Sequence, residues 1–271
     1  MQTNDIEGSS EVEYCDNAKG TGLSDGRTLI GHPPNNHWIY HDDPSLFDLT
    51  RPAAPEFRKP NAQESVTLET TTTPIVIAPS KTALIIIDMQ NFFLSTALGR
   101  QADGPGQRAK KQLLEYALPA AALGGVQVIW LNWGLTPDDL EQMPAGVLRA
   151  FGFRSSTPAS QRETPMNELG KPRRLYNGLG NDIGSVKLED GSIVEGGRLL
   201  MRDTWNAALP PDLTMAYQTG LQATPPHIWI HKNRMSGLWG ATTPCIEFLE
   251  QRGFRTLLFA GVNTGETICT M

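Results

Sequence analysis

The segment Lys81-Thr-Ala-Leu-Ile-Ile-Ile-Asp88 decides the fold class, because it is a continuous apolar run that ends in a carboxylate. Such a run is typical of a parallel strand that is buried on both faces. Apolar residues at helical spacing follow over 113–121, and Val126-Gln-Val-Ile-Trp-Leu-Asn132 then reads as a second strand. Strand, helix and strand at these lengths form a βαβ unit with a right-handed crossover. The sequence therefore predicts a three-layer α/β/α fold with an open, mainly parallel sheet.

Further elements follow the βαβ unit. Thr136-Pro-Asp-Asp139 combines a capping residue, a helix-starting proline and two first-turn acids, which predicts a helix over 137–151 that Gly152 ends. A third strand is predicted at 227–232, and a fourth at 255–262. Between them, Thr243 and Gly253 bracket a capped helix.

Two segments lack the periodicity of helices and strands. Residues 1–78 are rich in Pro, Asp and Thr, and we predict an irregular, partly disordered extension before a domain at 79–271. Residues 153–198 are predicted to be an irregular insertion. Within it, Asp190-Gly191 indicates a two-residue hairpin turn.

Composition restricts the class of function. The chain has 271 residues, 39% of them hydrophobic, and a net charge of −6, which disfavours general binding to nucleic acid or anionic membranes. Its first residues are acidic and its apolar runs are too short to span a bilayer. Three cysteines at wide spacing indicate neither a disulfide framework nor a zinc site. We therefore expect a cytoplasmic protein with a small-molecule substrate.

Polar side chains at the strand ends indicate where that substrate binds. In an open parallel sheet, ligands bind beyond the carboxyl ends of the strands. Asp88, Asn132, Lys232 and Asn263 each lie at or just past such an end. Taken singly, each also has an ordinary structural explanation, such as a helix cap or a solvated lysine. Together they predict a site that contains an acid, a cation and two amides.

Four segments in this order resemble the isochorismatase-like cysteine hydrolases, from about residue 75 to 264. The family includes isochorismatases, nicotinamidases, N-carbamoylsarcosine amidases and ureidoacrylate amidohydrolases. The matching segments are Ala83-Leu-Ile-Ile-Ile-Asp-Met-Gln-Asn-Phe-Phe93, Leu200-Met-Arg-Asp-Thr-Trp-Asn-Ala-Ala-Leu209, His231-Lys-Asn-Arg-Met-Ser-Gly-Leu238 and Phe259-Ala-Gly-Val-Asn-Thr264.

The resemblance implies a catalytic triad. Asp88 would accept a thiol proton, Lys232 would stabilise the anionic state, and a cysteine at the start of the next helix would attack a carbonyl carbon. A nearby cation and a helix N-terminus both favour thiolate. The resemblance also implies a cis peptide bond at Val262-Asn263.

The family pattern also bears on ligands. Asn132, Trp133, Trp205 and Asn263 are candidate substrate-binding residues, and the Asn132-Trp133 pair favours the ureidoacrylate amidohydrolase branch. Some nicotinamidases hold a metal with histidines near the second strand, where this chain has none. We therefore predict no catalytic metal and no cofactor. If copies of the chain associate, we expect a homo-oligomer.

The nucleophile segment departs from the family pattern Gly-Val-x-Thr-x-x-Cys. This chain reads Gly261-Val-Asn-Thr-Gly-Glu-Thr267, so threonine occupies the cysteine position. Cys269, two residues later, is then the candidate nucleophile. From this departure we expect a C-terminal truncation of the domain and doubtful activity.

Three hypotheses for function remain open at this stage. The first is hydrolysis of amide or ureide C–N bonds through an Asp-Lys-Cys site. The second is vinyl-ether hydrolysis of the isochorismatase type, which depends on Asp88 and does not need a thiol. The third is a non-catalytic binding or regulatory protein. Release of ammonia from amides or ureides, or of pyruvate from isochorismate, would distinguish them.

Overall fold

The computed structural model describes residues 21–23, 26–34, 36–52, 64–152 and 178–264. The chain divides into two compact units, Met1–Ala78 and Pro79–Met271. Within the described ranges, no helix combines the length and the apolar character that crossing a bilayer requires.

The first unit contains a six-stranded sheet, so the prediction of irregular structure before residue 79 is wrong for its described residues. The order of its strands is β1-β2-β3-β4-β6-β5. Prolines misled the prediction, because Pro33, Pro34 and Pro44 lie in the turns that join antiparallel strands. The strands are β1 (Thr21–Leu23), β2 (Arg27–His32), β3 (Asn36–Asp42), β4 (Ser45–Asp48), β5 (Val66–Leu68) and β6 (Ile75–Ile77).

The second unit is built on a four-stranded parallel sheet, which confirms the predicted α/β class. Its strands are β7 (Thr82–Ile87), β8 (Gln127–Trp133), β11 (Ile228–Lys232) and β12 (Thr256–Gly261). They lie in the order β11-β8-β7-β12. Every residue of β7 and β8 is buried, as expected for central strands of a sheet with both faces covered.

A long helical crossover joins β7 to β8. It comprises α2 (Pro105–Gln112), a π-helical stretch (Leu113–Ala117) and α3 (Leu118–Gly124). Gly104 precedes the first turn, and Gly125 ends the last one in a left-handed conformation with φ of 67°. The predicted βαβ unit is therefore present. The short helix α1 (Asn91–Leu94) precedes this crossover.

Helices cover both faces of the sheet. On one face, Ile85, Ile87 and Leu131 pack with Cys245 and Leu249 of α7 (Pro244–Gln251). On the other face, the ring of Trp130 contacts that of Tyr217 in α6 (Pro211–Gly220), with 6.0 Å between ring centroids. Burial raises the pKa of the Cys245 thiol to about 12, so this cysteine is protonated and unreactive near neutral pH.

Two local predictions are corrected. The helix predicted over 137–151 is split into α4 (Pro137–Glu141) and α5 (Ala145–Phe151), because Pro144 interrupts it. The hairpin of β9 (Ser185–Lys187) and β10 (Ile193–Glu195) closes through a longer loop than two residues. In that loop Leu188 donates its N–H to the oxygen of Ser192. Residues 153–177 of the predicted insertion lie outside the described residues.

Gly261 is required where β12 ends beside β7. Its φ is 108°, and a Cβ atom there would lie 2.3 Å from the carbonyl oxygen of Ile87. We therefore expect Gly261→Ala to lower the free energy of unfolding by roughly 1–3 kcal/mol through backbone strain and the clash. Gly146→Ala is the control, because no atom lies within 4 Å of its added Cβ in α5. That change should gain about 0.5–1 kcal/mol. Equal effects in urea denaturation would contradict the expectation.

Candidate active site

A buried ion pair lies at the carboxyl edge of the parallel sheet. Lys232 Nζ lies 2.9 Å from Asp88 Oδ2, and the two side chains are 1% and 0% exposed. Asp88 follows β7, and Lys232 ends β11. These strands are not neighbours, because β8 lies between them. The pair therefore bridges about 10 Å of sheet, twice the spacing of adjacent strands.

The last residue of β8, Trp133, contacts the lysine of this ion pair. Lys232 Nζ lies 5.0 Å from the ring centroid of Trp133, the last residue of β8, at a distance typical of a cation–π contact. The same nitrogen donates a hydrogen bond to the carbonyl oxygen of Met235 at 2.8 Å. The ammonium group is thus held by a carboxylate, a carbonyl and an aromatic face.

Asn263 completes the polar cluster from the opposite side. Its Nδ2 donates to Asp88 Oδ2 at 3.1 Å. Asp88 and Asn263 have φ of 55° and 56°, a left-handed conformation that Asp and Asn adopt more readily than most residues. Each therefore turns the chain sharply just after a strand. The structure brings Asp88, Lys232, Trp133 and Asn263 together, four of the seven predicted site residues.

The remaining predicted residues are placed differently. Asn132 is fully buried within β8, and neither polar atom of its side chain has a hydrogen-bond partner among the described residues. Trp205 packs against the apolar cluster that includes Trp133, and its carbonyl oxygen accepts from Asn91. Cys269 and the expected C-terminal truncation lie outside the described residues.

The expectation of a cis peptide bond at Val262-Asn263 is wrong. That bond is trans, and the turn is made instead by the positive φ values of Gly261 and Asn263. The chain therefore changes direction through two residues with positive φ, and not through a cis peptide bond. In the described ranges, no group of three or more His, Cys, Asp or Glu side chains is placed to hold a metal ion.

Sequence reasoning missed Gln90, which links three parts of the site. Its Nε2 donates to the carbonyl oxygens of Trp133 and Ala207, and its Oε1 accepts from the Trp133 N–H. Gln90 is fully buried and lies two residues after Asp88. The sequence places it in the first matching segment, but its partners 43 and 117 residues away are visible only in three dimensions.

A second missed feature is a cavity of about 80 Å³ beside Lys232. Its lining includes Asp139, Arg202, His231, Asn233, Ser236 and Trp239. Arg202 and His231 belong to two of the four matching segments, so each could have been named as a candidate site residue from the sequence. Nothing in the order of residues, however, indicates that the two segments meet.

Two histidines, the buried His227 and the half-buried His231, each accept a hydrogen bond from a tryptophan. Trp130 Nε1 donates to His227 Nδ1 at 3.3 Å, and Trp229 Nε1 donates to His231 Nδ1 at 3.2 Å. Burial lowers the pKa of both histidines, and the charge of Arg202 adds to the lowering for His231. Both rings are therefore neutral at pH 7.

The fold is α/β, as the sequence predicted, and comparisons with known proteins support the resemblance to the isochorismatase-like hydrolases. No family model matches the chain. The chain is 28% identical over 222 residues to ureidoacrylate amidohydrolase RutB of Methylorubrum extorquens, a match that covers 80% of this chain and 73% of the relative. It is also 28% identical over 205 residues to the protein of that name from Rhizobium rhizogenes, covering 74% and 67%.

A solved structure of an isochorismatase family protein from Desulfovibrio vulgaris is 19% identical, with a TM-score of 0.37. The match covers 65% of this chain and 64% of that one.

Removing the cation should expose the cost of burying the Asp88 carboxylate. We expect Lys232→Met to lower the free energy of unfolding by about 3–5 kcal/mol, because it leaves a buried charge without its ion-pair partner. The double variant Asp88→Asn/Lys232→Met should recover most of this loss. The control is Lys110→Met, which removes a more exposed pair with Asp212 and should cost about 1 kcal/mol or less. Equal losses for the two lysines in urea denaturation would contradict this account.

The neutral histidines predict that stability falls in mild acid. A histidine with a lowered pKa takes up its proton more readily in the unfolded chain, so the free energy of unfolding falls as pH drops below about 6.5. Asp139 and Asp190 also have lowered pKa values, but the ordinary pKa of an aspartate is 3.8, so these two groups affect stability only at lower pH. Urea denaturation between pH 8 and 5 should therefore show a decline that His227→Gln/His231→Gln reduces. An unchanged decline in that variant would assign the effect to other groups.

Proposed function

We propose that the protein hydrolyses C–N bonds of small amides or ureides at the Asp88–Lys232 pair. The observation that carries this proposal is a buried acid and cation at the carboxyl edge of a parallel sheet, in a chain whose relatives are ureidoacrylate amidohydrolases. Ligands of open α/β sheets bind at this edge. The proposal therefore rests on the position of the pair in the fold and on the reaction that the relatives' names describe.

In the proposed reaction, Asp88 transfers protons. Its carboxylate takes the proton from the attacking group as that group bonds to the carbonyl carbon, and then gives the proton to the departing nitrogen. Lys232 balances the negative charge near this carbon. Trp133, Met235 and Asn263 hold the two groups in position. For a ureide, the products are an amine and a carbamate, and carbamate breaks down to ammonia and carbon dioxide.

The Cys269 thiol is the proposed nucleophile. A thiol gives a covalent acyl intermediate, which water then hydrolyses. Substitution of Cys269 by Ser tests this step separately from the rest of the site. Loss of turnover in Cys269→Ser supports the thiol, whereas full turnover would show that water activated by Asp88 attacks directly.

Asp88→Asn should lower kcat/KM for ureidoacrylate by roughly 10²- to 10⁴-fold, because it removes the proton-transferring group. Ammonia release by the purified chain is the measurement. Asp212→Asn is the matched control, since Asp212 pairs with Lys110 away from the sheet edge, and it should leave turnover unchanged. Pyruvate release from isochorismate in the same preparation would favour vinyl-ether hydrolysis instead. If neither product forms, the proposed hydrolysis is wrong.

A further inference from the structure

Gln90 lies near the point where β7 leaves the parallel sheet. β7 ends at Ile87, and the positive φ of Asp88 turns the chain away, whereas the neighbouring β8 continues to Trp133. The Asp88 N–H donates to the carbonyl oxygen of Leu131 in β8. Because backbone groups along a strand point to the same neighbour at every second residue, the N–H and C=O of Trp133 face the side that β7 has left.

The carboxamide of Gln90 replaces the missing length of strand. If β7 continued, the Asp88 carbonyl would accept the Trp133 N–H, and the Gln90 N–H would donate to the Trp133 carbonyl, two residues beyond the last bond. In the structure, Gln90 Oε1 accepts the Trp133 N–H at 3.0 Å, and Nε2 donates to the Trp133 carbonyl oxygen at 2.8 Å. One side chain thus supplies both the acceptor and the donor that a continued strand would have supplied.

Bulk water does not reach these two hydrogen bonds. Trp133 is 1% exposed and Gln90 is fully buried, so removing the carboxamide would leave two buried backbone groups of Trp133 unpaired. Nε2 also donates to the carbonyl oxygen of Ala207 at 2.6 Å, which fixes the plane of the carboxamide. The end of β8 therefore depends on Gln90 for its position.

The position of Trp133 bears directly on the ion pair. Its ring centroid lies 5.0 Å from Lys232 Nζ, and Trp133 is paired with Lys232 in the register of β8 and β11. Gln90 is also only two residues after Asp88, so it holds the backbone that carries the carboxylate. The same side chain thus connects the supports of both charges.

We propose that Gln90 is a positioning residue that sets the geometry of the Asp88–Lys232 pair. It acts through Trp133 on the lysine side and through the backbone on the aspartate side. This inference rests on the proposed function, because the geometry of the pair affects turnover only if the pair performs the reaction.

The test replaces Gln90 by Met, which has a similar length and no carboxamide. Gln127→Met is the matched control. Gln127 begins the same strand, is 2% exposed, and donates from Nε2 to the carbonyl oxygens of Val128 and Pro226. Both variants therefore remove a buried carboxamide that binds backbone, but only Gln90→Met removes one at the carboxyl end of β8.

The first readout is the coupling between Asp88 and Lys232. Urea denaturation of Asp88→Asn, Lys232→Met and the double variant gives this coupling, and the same cycle is repeated in each glutamine variant. Gln90→Met should reduce the coupling by roughly half or more, because the two charges no longer hold their geometry. Gln127→Met should leave the coupling unchanged, even if it lowers the urea midpoint as much.

The second readout is ammonia release from ureidoacrylate. Gln90→Met should lower kcat by roughly 10- to 100-fold and leave KM within about twofold, because small displacements of reacting groups slow the chemical step. Gln127→Met should change neither value. Circular dichroism establishes that the variants are folded. If Gln90→Met does not fold, Gln90→Asn replaces it, since its carboxamide is one methylene too short to reach both groups of Trp133.

Coupling that is unchanged in the Gln90 variant, or reduced equally by Gln127→Met, would overturn the inference. So would an unchanged kcat, or a rise in KM alone, which would indicate a role in binding the substrate. The coupling does not depend on turnover, so the two proposals fail separately. Weaker coupling in Gln90→Met without ammonia from the wild-type chain contradicts only the hydrolysis. Turnover by the wild type with unchanged coupling and kcat in Gln90→Met contradicts only the positioning role.

Discussion

The Asp88–Lys232 ion pair is the constraint on which the rest of the site depends. Its atoms come from strands on either side of β8, so it forms only if three strands end in register. A buried ion pair does not by itself stabilise a fold, because removing two charges from water costs about as much as their attraction returns. Here the Met235 carbonyl, the Trp133 ring and the Asn263 amide supply the extra contacts. The pair therefore adds little net stability by itself, which agrees with the chemical role proposed for it.

The sequence predicted the parts of this arrangement that follow from strand direction. Asp88 and Lys232 end apolar runs, and the carboxyl ends of parallel strands meet at one edge. Their proximity could therefore be inferred without coordinates. Gln90 and the cavity could not, because their contacts join residues far apart in the chain through loops with no periodic pattern.

Other errors arose from signals that have more than one meaning. Proline clusters are common in disordered segments, but prolines also occupy the turns of antiparallel sheets, as Pro33 and Pro44 do here. Pro144 is the opposite case, since it broke a helix that capping residues and spacing predicted as continuous. For the turn after β12, glycine and asparagine in the left-handed region give a change of direction that a cis bond was expected to give.

Charge on two length scales bears on which ligands can reach the site. The whole chain carries a charge of −6, which opposes the approach of an acid. At physiological ionic strength this repulsion is screened beyond about 8 Å, so the groups near the cavity decide the outcome. There Asp88 is paired with Lys232, and Asp139 is bound by Thr136 and Asn233. The two carboxylates near the cavity are thus each paired or hydrogen-bonded, and their charge is largely neutralised. Binding at this edge of the sheet therefore depends on local contacts, and not on the net charge of the protein.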